Sequence, residues 1–131
     1  MSNVDHPPHY QHPSGVEAID ICEHLGFNLG NAYKHLVRAG KKGPVAEDLR
    51  KAAWYLRRAA EGMTNGGRGA THAFVPRGVP ILARRVMVAG VAGCAHRMML
   101  LAISDGAISA DDCESVRREC EREAAAAESA Q

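Results

Sequence analysis

The chain has 131 residues and a formal net charge of +1, and 46% of its residues are hydrophobic but only 5% are aromatic. This length suits a single domain, and the scarcity of aromatic side chains predicts a helical core built from Ala, Leu, Ile, Val and Met. The near-neutral charge argues against direct binding to nucleic acid, which depends on strong positive charge.

The four cysteines have neither CxxC spacing nor metal-ligand spacing, and no signal peptide is recognised. Reduced thiols and a cytoplasmic location are therefore expected. The apolar run 86–95 is shorter than the roughly 20 residues that a membrane-spanning helix needs, so no membrane partner is expected.

The N-terminal arm, residues 1–15, contains three prolines, which exclude regular secondary structure. We expect His6, His9 and Tyr10 to hydrogen-bond to the rest of the fold or to a ligand. A metal site built from the arm histidines is a weaker interpretation, because an extended arm does not bring side chains at this spacing together.

A first helix is predicted over residues 16–25, with Gly26 ending it. Its outer face carries Glu17, Asp20 and Glu23 at three-residue intervals. Such a row of carboxylates could hold Mg²⁺. The alternative, which we favour, is a solvated acidic face.

A second helix is predicted over residues 28–39, with Asn28 as its N-cap. Its buried side is predicted to be Leu29, Ala32, Tyr33, Leu36 and Val37. Its polar face, together with the loop that follows, carries Asn31, Lys34, Arg38 and either Lys41 or Lys42. Side chains spaced by three and four residues share one side of a helix. His35, beside this face, is interpreted as a bystander.

A third helix is predicted from Pro44 to about Glu61. Its buried side is predicted to be Leu49, Ala52, Ala53, Leu56 and Ala60. Its other faces carry Asp48, Lys51, Trp54 and Tyr55. Because Trp54 and Tyr55 point about 100° apart, one is expected in the core and the other free to stack on a base.

The short loop between the second and third helices makes them antiparallel, so their polar faces can border one groove. A cationic groove with an aromatic wall suits a small anionic ligand that carries a base. The sequence therefore predicts nucleotide binding.

Residues 64–79 are predicted to be a glycine-rich linker. Its segment GGRGAT could wrap a phosphate, but the strand and helix that flank a true phosphate-binding loop are missing. Residues 80–131 are predicted to form a C-terminal helical hairpin, with one long helix over 81–103 and a last helix that Ser109 caps. The long helix is apolar nearly all round, which predicts a homo-oligomer.

The expected fold is all-α: a small bundle of about five helices with an extended N-terminal arm. Residues 1–63 would be the nucleotide-binding region, 64–79 the linker and 80–131 a hairpin at the oligomer interface.

Four motifs follow one another between about residues 5 and 60: His6-Pro7-x-His9-Tyr10, Val16-Glu17-Ala18-Ile19-Asp20, Gly30-Asn31-Ala32-x-Lys34 with Arg38 and Lys42, and Asp48-Leu49-x-Lys51-Ala52-x-Trp54-Tyr55-Leu56. In these motifs the N-terminal half resembles the SaV-like phage and prophage proteins, DUF3310. His35 stands where the resemblance predicts Tyr. Nothing after Met63 resembles the family.

The resemblance implies a nucleotide kinase, because a nucleotide kinase of T7-like phages carries this domain. Such a protein would work in the cytoplasm of a bacterial host and would use Mg²⁺ with a nucleoside triphosphate. Lys34, Arg38, Lys42 and Lys51 would neutralise phosphate charge, and Asp48 or His9 would orient the accepting phosphate.

Two alternatives remain open at this point. A non-catalytic protein could sequester nucleotides or signalling nucleotides as a counter-defence, and this role needs the basic groove but no general base. A Mg²⁺-dependent nucleotide pyrophosphohydrolase would instead use Glu17, Asp20 and Glu23.

Overall fold

Six helices and one two-stranded antiparallel sheet make up the part of the chain that the computed structural model describes, residues 5–65 and 72–130. A short 3-10 helix (Pro8–Tyr10) precedes α1 (Ala18–Cys22), α2 (Phe27–Arg38) and α3 (Val45–Asn65). Strand β1 (His72–Phe74) is followed by α4 (Val79–Ala89), α5 (Cys94–Ser104), β2 (Ala107–Ser109) and α6 (Ala110–Ser129). The predicted helical bundle is confirmed, and the small sheet is an addition to it.

The predicted buried faces of α2 and α3 are confirmed. Every apolar residue assigned to them is buried: Leu29, Ala32, Tyr33, Leu36, Val37, Leu49, Ala52, Ala53, Leu56 and Ala60. The two helices pack against each other, and the opposite side of α3 is covered by α6. Tight packing of this kind removes apolar surface from water and is the main source of stability in a helical bundle.

The first helix was predicted two residues too long at its start and three at its end, and the second helix lies one residue earlier than predicted. α1 spans only Ala18–Cys22, and the Glu17 N–H before it donates to Asp20 Oδ2 at 2.8 Å. α2 begins at Phe27, and its N-cap is Gly26 (φ 78°) rather than Asn28. Glycine adopts this positive φ without the steric cost that a side chain would bring.

The predicted long helix over 81–103 was also wrong, because the chain leaves the helical path after α4 and re-enters it at α5. Gly90 has φ 103° and ends α4, and the break continues to Gly93. His12 Nε2 donates to the Gly90 carbonyl oxygen at 2.8 Å, which ties the N-terminal arm to the break. Gly90 therefore ends α4, and Gly93 is the N-cap of α5.

The C-terminal helices share one hydrophobic core with the N-terminal half. The last helix, α6, is capped as predicted: the Asp112 N–H donates to Ser109 Oγ at 2.9 Å. α6 packs more extensively on α3 than on α5, and Arg50 and Arg57 of α3 form ion pairs with Glu128 and Glu121 of α6. Residues 80–130 thus complete the same bundle.

Self-association through the C-terminal helices stays a prediction. α4 leaves Ile81 and Val88 exposed, the latter to 90%. None of the described helices is long and apolar enough to cross a bilayer.

Candidate functional site

Asp48, in the first turn of α3, is the centre of the candidate site. An acid is favoured here because it meets the positive end of the helix dipole. Asp48 is only 2% exposed, yet its carboxylate has two partners on α2. His35 Nδ1 donates to Asp48 Oδ1 at 3.1 Å, and Arg38 Nε lies 3.4 Å from the same oxygen. The carboxylate therefore positions these two side chains and is not free to contact a ligand.

His35 is a site residue that the sequence analysis interpreted wrongly as a bystander. Burial, together with the charges of Lys34 and Lys51, lowers the pKa of His35, although Asp48 opposes the shift. The imidazole is therefore neutral near pH 7. With Nδ1–H donated to Asp48, Nε2 keeps a lone pair, and none of the described residues hydrogen-bonds to it. The signal was present in the sequence: residues 31, 35 and 38 share one helix face.

Positive charge surrounds the pair formed by His35 and Asp48. The N-terminal arm brings His9 within electrostatic reach of Lys34, Arg38, Lys42 and Asp48. Partial burial, then the charges of Lys42 and Arg38, lower the pKa of His9, so this imidazole is also neutral near pH 7. The structure thus brings together five residues that the sequence analysis selected from three separate segments.

Tyr10, in the 3-10 helix of the arm, also lies beside Arg38. The Tyr10 hydroxyl beside the guanidinium, and then Asp48, raise the pKa of Arg38. Arg38 Nε is itself buried without a hydrogen-bond partner in the described chain. Arg38 is therefore a permanent cation at the junction of the arm, α2 and α3.

Aromatic side chains continue the site along α3. Tyr55 is half-buried and stacks on His35, with ring centroids 5.9 Å apart and planes 13° apart. Phe27 and Trp54 meet Tyr55 edge-on, at 6.0 Å and 5.1 Å between centroids. We call Phe27, Tyr55 and Trp54 the aromatic platform. Trp54 is 54% exposed and Phe27 is 74% exposed, so the platform presents ring surface to solvent.

The expectation that one of Trp54 and Tyr55 lies in the core was wrong: Tyr55 is half-buried and packs against the core, and Trp54 is exposed. Arg58 lies over the Trp54 ring, its Cζ 5.3 Å from the centroid. Phe27 was not among the predicted site residues.

Three predicted ligand-binding residues are engaged in local contacts. His6 Nδ1 lies 2.8 Å from Glu17 Oε2. Asn31 Nδ2 donates to the Phe27 carbonyl oxygen at 2.8 Å. Lys51 pairs with Glu47 at 3.0 Å and remains exposed. The charge of Lys51 also contributes to the lowered pKa of His35.

The carboxylates weighed as metal ligands each have a structural partner. Glu17 meets His6, Asp20 accepts the Glu17 N–H, and Glu23 lies 3.3 Å from His24 Nε2. Within residues 5–65 and 72–130, no group of three or more His, Cys, Asp or Glu side chains could hold a metal ion. The segment GGRGAT, residues 66–71, lies outside the described residues.

A cavity of about 320 Å³ adjoins the site where the arm meets α1 and α2. Tyr10 and Lys34 are among the side chains that line it. Small-molecule sites in proteins start at about this size.

Comparisons with known proteins match part of the chain. Residues 4–57 match the family model described as a protein of unknown function, DUF3310. Over 64 residues the chain is 42% identical to the Gene 1.7 protein of Enterobacteria phage T3, a match that covers 41% of this chain and 39% of that protein. The chain therefore spans about two-fifths of that relative's length. No solved structure matches the chain.

Proposed function

Because residues 4–57 match the DUF3310 family model and the chain is similar to a phage protein, we propose that it binds (deoxy)nucleotides between the N-terminal arm, α2 and α3. We further propose that it transfers a phosphoryl group from a nucleoside triphosphate to a nucleoside monophosphate, the activity that the family resemblance implies. The matched segment, residues 4–57, contains the cations Lys34, Arg38 and Lys42 as well as the aromatic platform.

The observation that carries the proposal is the convergence of Lys34, Arg38 and Lys42 beside one buried carboxylate that cannot neutralise all of them. Phosphoryl transfer needs mainly in-line positioning of the reacting oxygens and neutralisation of the charge spread over the phosphates. These cations supply the charge neutralisation. Mg²⁺ would enter this site as part of the triphosphate substrate.

The roles within the site follow from the contacts. Lys34, Arg38 and Lys42 bind phosphate oxygens, and neutral His9 can donate one N–H to the accepting phosphate. Asp48 is a positioning residue, because its carboxylate holds His35 and Arg38. His35 Nε2 is an acceptor for a hydroxyl or amino group of the nucleotide.

The aromatic platform would hold the base. Base stacking on an aromatic side chain contributes about 1–3 kcal/mol and tolerates any base. Arg58 over Trp54 adds a cation near the exposed end of the platform. The platform would thus hold the base while the cations hold the phosphates.

Sequestration without catalysis is a second candidate function, and the state of Asp48 favours it. A carboxylate held by His35 and Arg38 is not free to act as a base. A sequestering protein requires only the cations and the platform.

The deciding experiment incubates the pure protein with pairs of nucleoside mono- and triphosphates, with and without Mg²⁺. Chromatography then identifies the free products and any nucleotide that the protein retains. New diphosphates would establish the kinase, and retained, unaltered nucleotide would establish sequestration. Release of pyrophosphate would establish a hydrolase instead, and an absence of both turnover and retention would overturn the proposal.

A further inference from the structure

A second cavity, of about 540 Å³, contains none of the proposed nucleotide-site side chains in its walls. It lies between the end of α2, the start of α3, the break after α4 and the second half of α6. The break at Gly90–Gly93 forms one wall. The cavity therefore depends on the break between α4 and α5, where the sequence had predicted one continuous helix.

The walls are mainly apolar. They are formed by Leu36, Val37, Val45, Leu49 and Val91, among others. Pockets of this volume that combine apolar walls with a few polar groups are typical of small-molecule sites. An apolar ligand body would remove both its own surface and these side chains from water.

Most polar groups in the lining already have partners. Glu123 Oε1 accepts the Cys94 N–H at 2.8 Å, and Arg122 Nε donates to Glu119 Oε2 at 2.9 Å. His96 Nε2 lies 3.2 Å from the Tyr33 hydroxyl. These contacts satisfy the polar groups without a ligand.

Lys41 differs from them. Its ammonium donates to the Gln11 carbonyl oxygen at 3.3 Å, and within the described ranges it forms no ion pair with an acidic side chain. Lys41 is exposed overall, yet partial loss of water lowers the pKa of its ammonium, as expected for a cation that gains no counter-charge. A ligand anion at this position would supply that charge.

We propose that this cavity binds a small amphipathic anion, with its apolar body between α2, α3 and α6 and its single carboxylate or phosphate on Lys41 Nζ. The site is separate from the proposed nucleotide site, since the adjacent lysine, Lys42, acts on His9 and is absent from the cavity lining. The two neighbouring lysines thus serve two different ligands.

Octanoate, 1-octanol and acetate are suitable probes for calorimetric titration of the full chain. Octanoate has both the apolar body and the charge, whereas each of the others lacks one of them. We expect saturable 1:1 binding of octanoate, at least tenfold weaker binding of 1-octanol, and no measurable binding of acetate. An absence of saturable octanoate binding would overturn the proposal.

Two variants test the position of the ligand. Lys41→Met should reduce octanoate affinity to that of 1-octanol, while the matched variant Lys42→Met should leave octanoate affinity unchanged. Ala126→Trp, at an exposed position of α6 that lines the cavity, should abolish binding of both compounds with the helical circular dichroism retained. Equal octanoate affinity in Lys41→Met and the unchanged protein would contradict the assignment.

Nucleotide titrations of the same variants separate this proposal from the nucleotide proposal. Lys42→Met should weaken nucleotide binding, and Lys41→Met should not. Loss of octanoate binding with nucleotide binding intact, or the reverse, would therefore identify which of the two proposals is wrong.

Discussion

His35 Nδ1 and Asp48 Oδ1 lie 3.1 Å apart, and both side chains are almost completely buried although they belong to different helices. A buried polar group that loses its partner bears the full cost of leaving water, so this contact links α2 to α3 strongly. It also sets the proton of His35 on Nδ1, which leaves Nε2 as an acceptor at the candidate site.

Replacing Asp48 tests this link. We expect Asp48→Ala to lower the free energy of unfolding by about 3 kcal/mol, because His35 Nδ1 loses its buried acceptor and Arg38 loses its counter-charge. Urea unfolding measures the effect. The matched control is Glu47→Ala, which removes an exposed acid in the same helical turn and should change stability little. Equal losses of unfolding free energy in Asp48→Ala and Glu47→Ala would show that the buried His35–Asp48 pair does not stabilise the fold.

Removing two cations tests the groove. The double variant Lys34→Ala/Arg38→Ala should weaken nucleotide binding about a hundredfold, since each charge-assisted contact to phosphate contributes about 1.5 kcal/mol. The control Arg84→Ala/Arg97→Ala removes the same charge from exposed positions of α4 and α5. Calorimetric titration gives the affinities, and thermal unfolding checks that both variants fold. Unchanged nucleotide affinity in Lys34→Ala/Arg38→Ala would show that the groove between α2 and α3 does not bind the nucleotide.

The chain contains one tryptophan, so its fluorescence reports on the aromatic platform alone. Nucleotide binding should quench Trp54 emission, because the base stacks beside a ring 5.1 Å from Tyr55. Tyr55→Leu should weaken binding about tenfold through the lost stacking. Phe74→Leu, which changes another exposed aromatic residue, on β1, should leave the titration as it was. Saturable binding without any change in emission would place the base elsewhere.

His96 should make the fold sensitive to acid. Burial lowers the pKa of His96 to about 4, whereas an unfolded histidine has a pKa of 6.5. Between these values the unfolded chain binds more protons, so stability is fully present above pH 6.5 and is lost as pH falls toward 4. The loss from His96 between pH 7 and 5 is about 2 kcal/mol.

Urea unfolding across this pH range measures the effect as the difference between the unchanged protein and His96→Gln. The variant should show the shallower fall, while His24→Gln, at an exposed position, should follow the unchanged protein. Parallel stability curves for the unchanged protein and His96→Gln would disprove this origin of acid sensitivity.

Two glycines should respond to alanine with opposite signs. A Cβ at Gly30 would lie 2.8 Å from the Cys22 carbonyl oxygen, so Gly30→Ala must push α1 and α2 apart and cost about 1–3 kcal/mol. A Cβ at Gly62 would meet no atom within 4 Å, and Gly62→Ala in α3 should stabilise by about 0.5–1 kcal/mol. Thermal unfolding of both variants distinguishes the signs. Stabilisation by Gly30→Ala would show that α1 and α2 are not in close contact.

The sequence by itself determined the helices whose signals are local. Periodic apolar residues predicted the buried faces of α2 and α3, and Ser109 with Asp112 predicted the start of α6. Spacing by three and four residues also placed Lys34 and Arg38 on one helix face, because that spacing depends only on helical geometry. Several motifs in order predicted the DUF3310 relationship, which the family match confirms.

Only the tertiary structure decided the features that join residues distant in the chain. His35 acquires its role from Asp48, and β1 forms because Ala73 pairs with Ile108. The helix break at Gly90 is stabilised by His12, which lies 78 residues away in sequence. Local propensity could not reveal these contacts, because each gains its free energy from a partner that only the folded chain brings within a few ångströms.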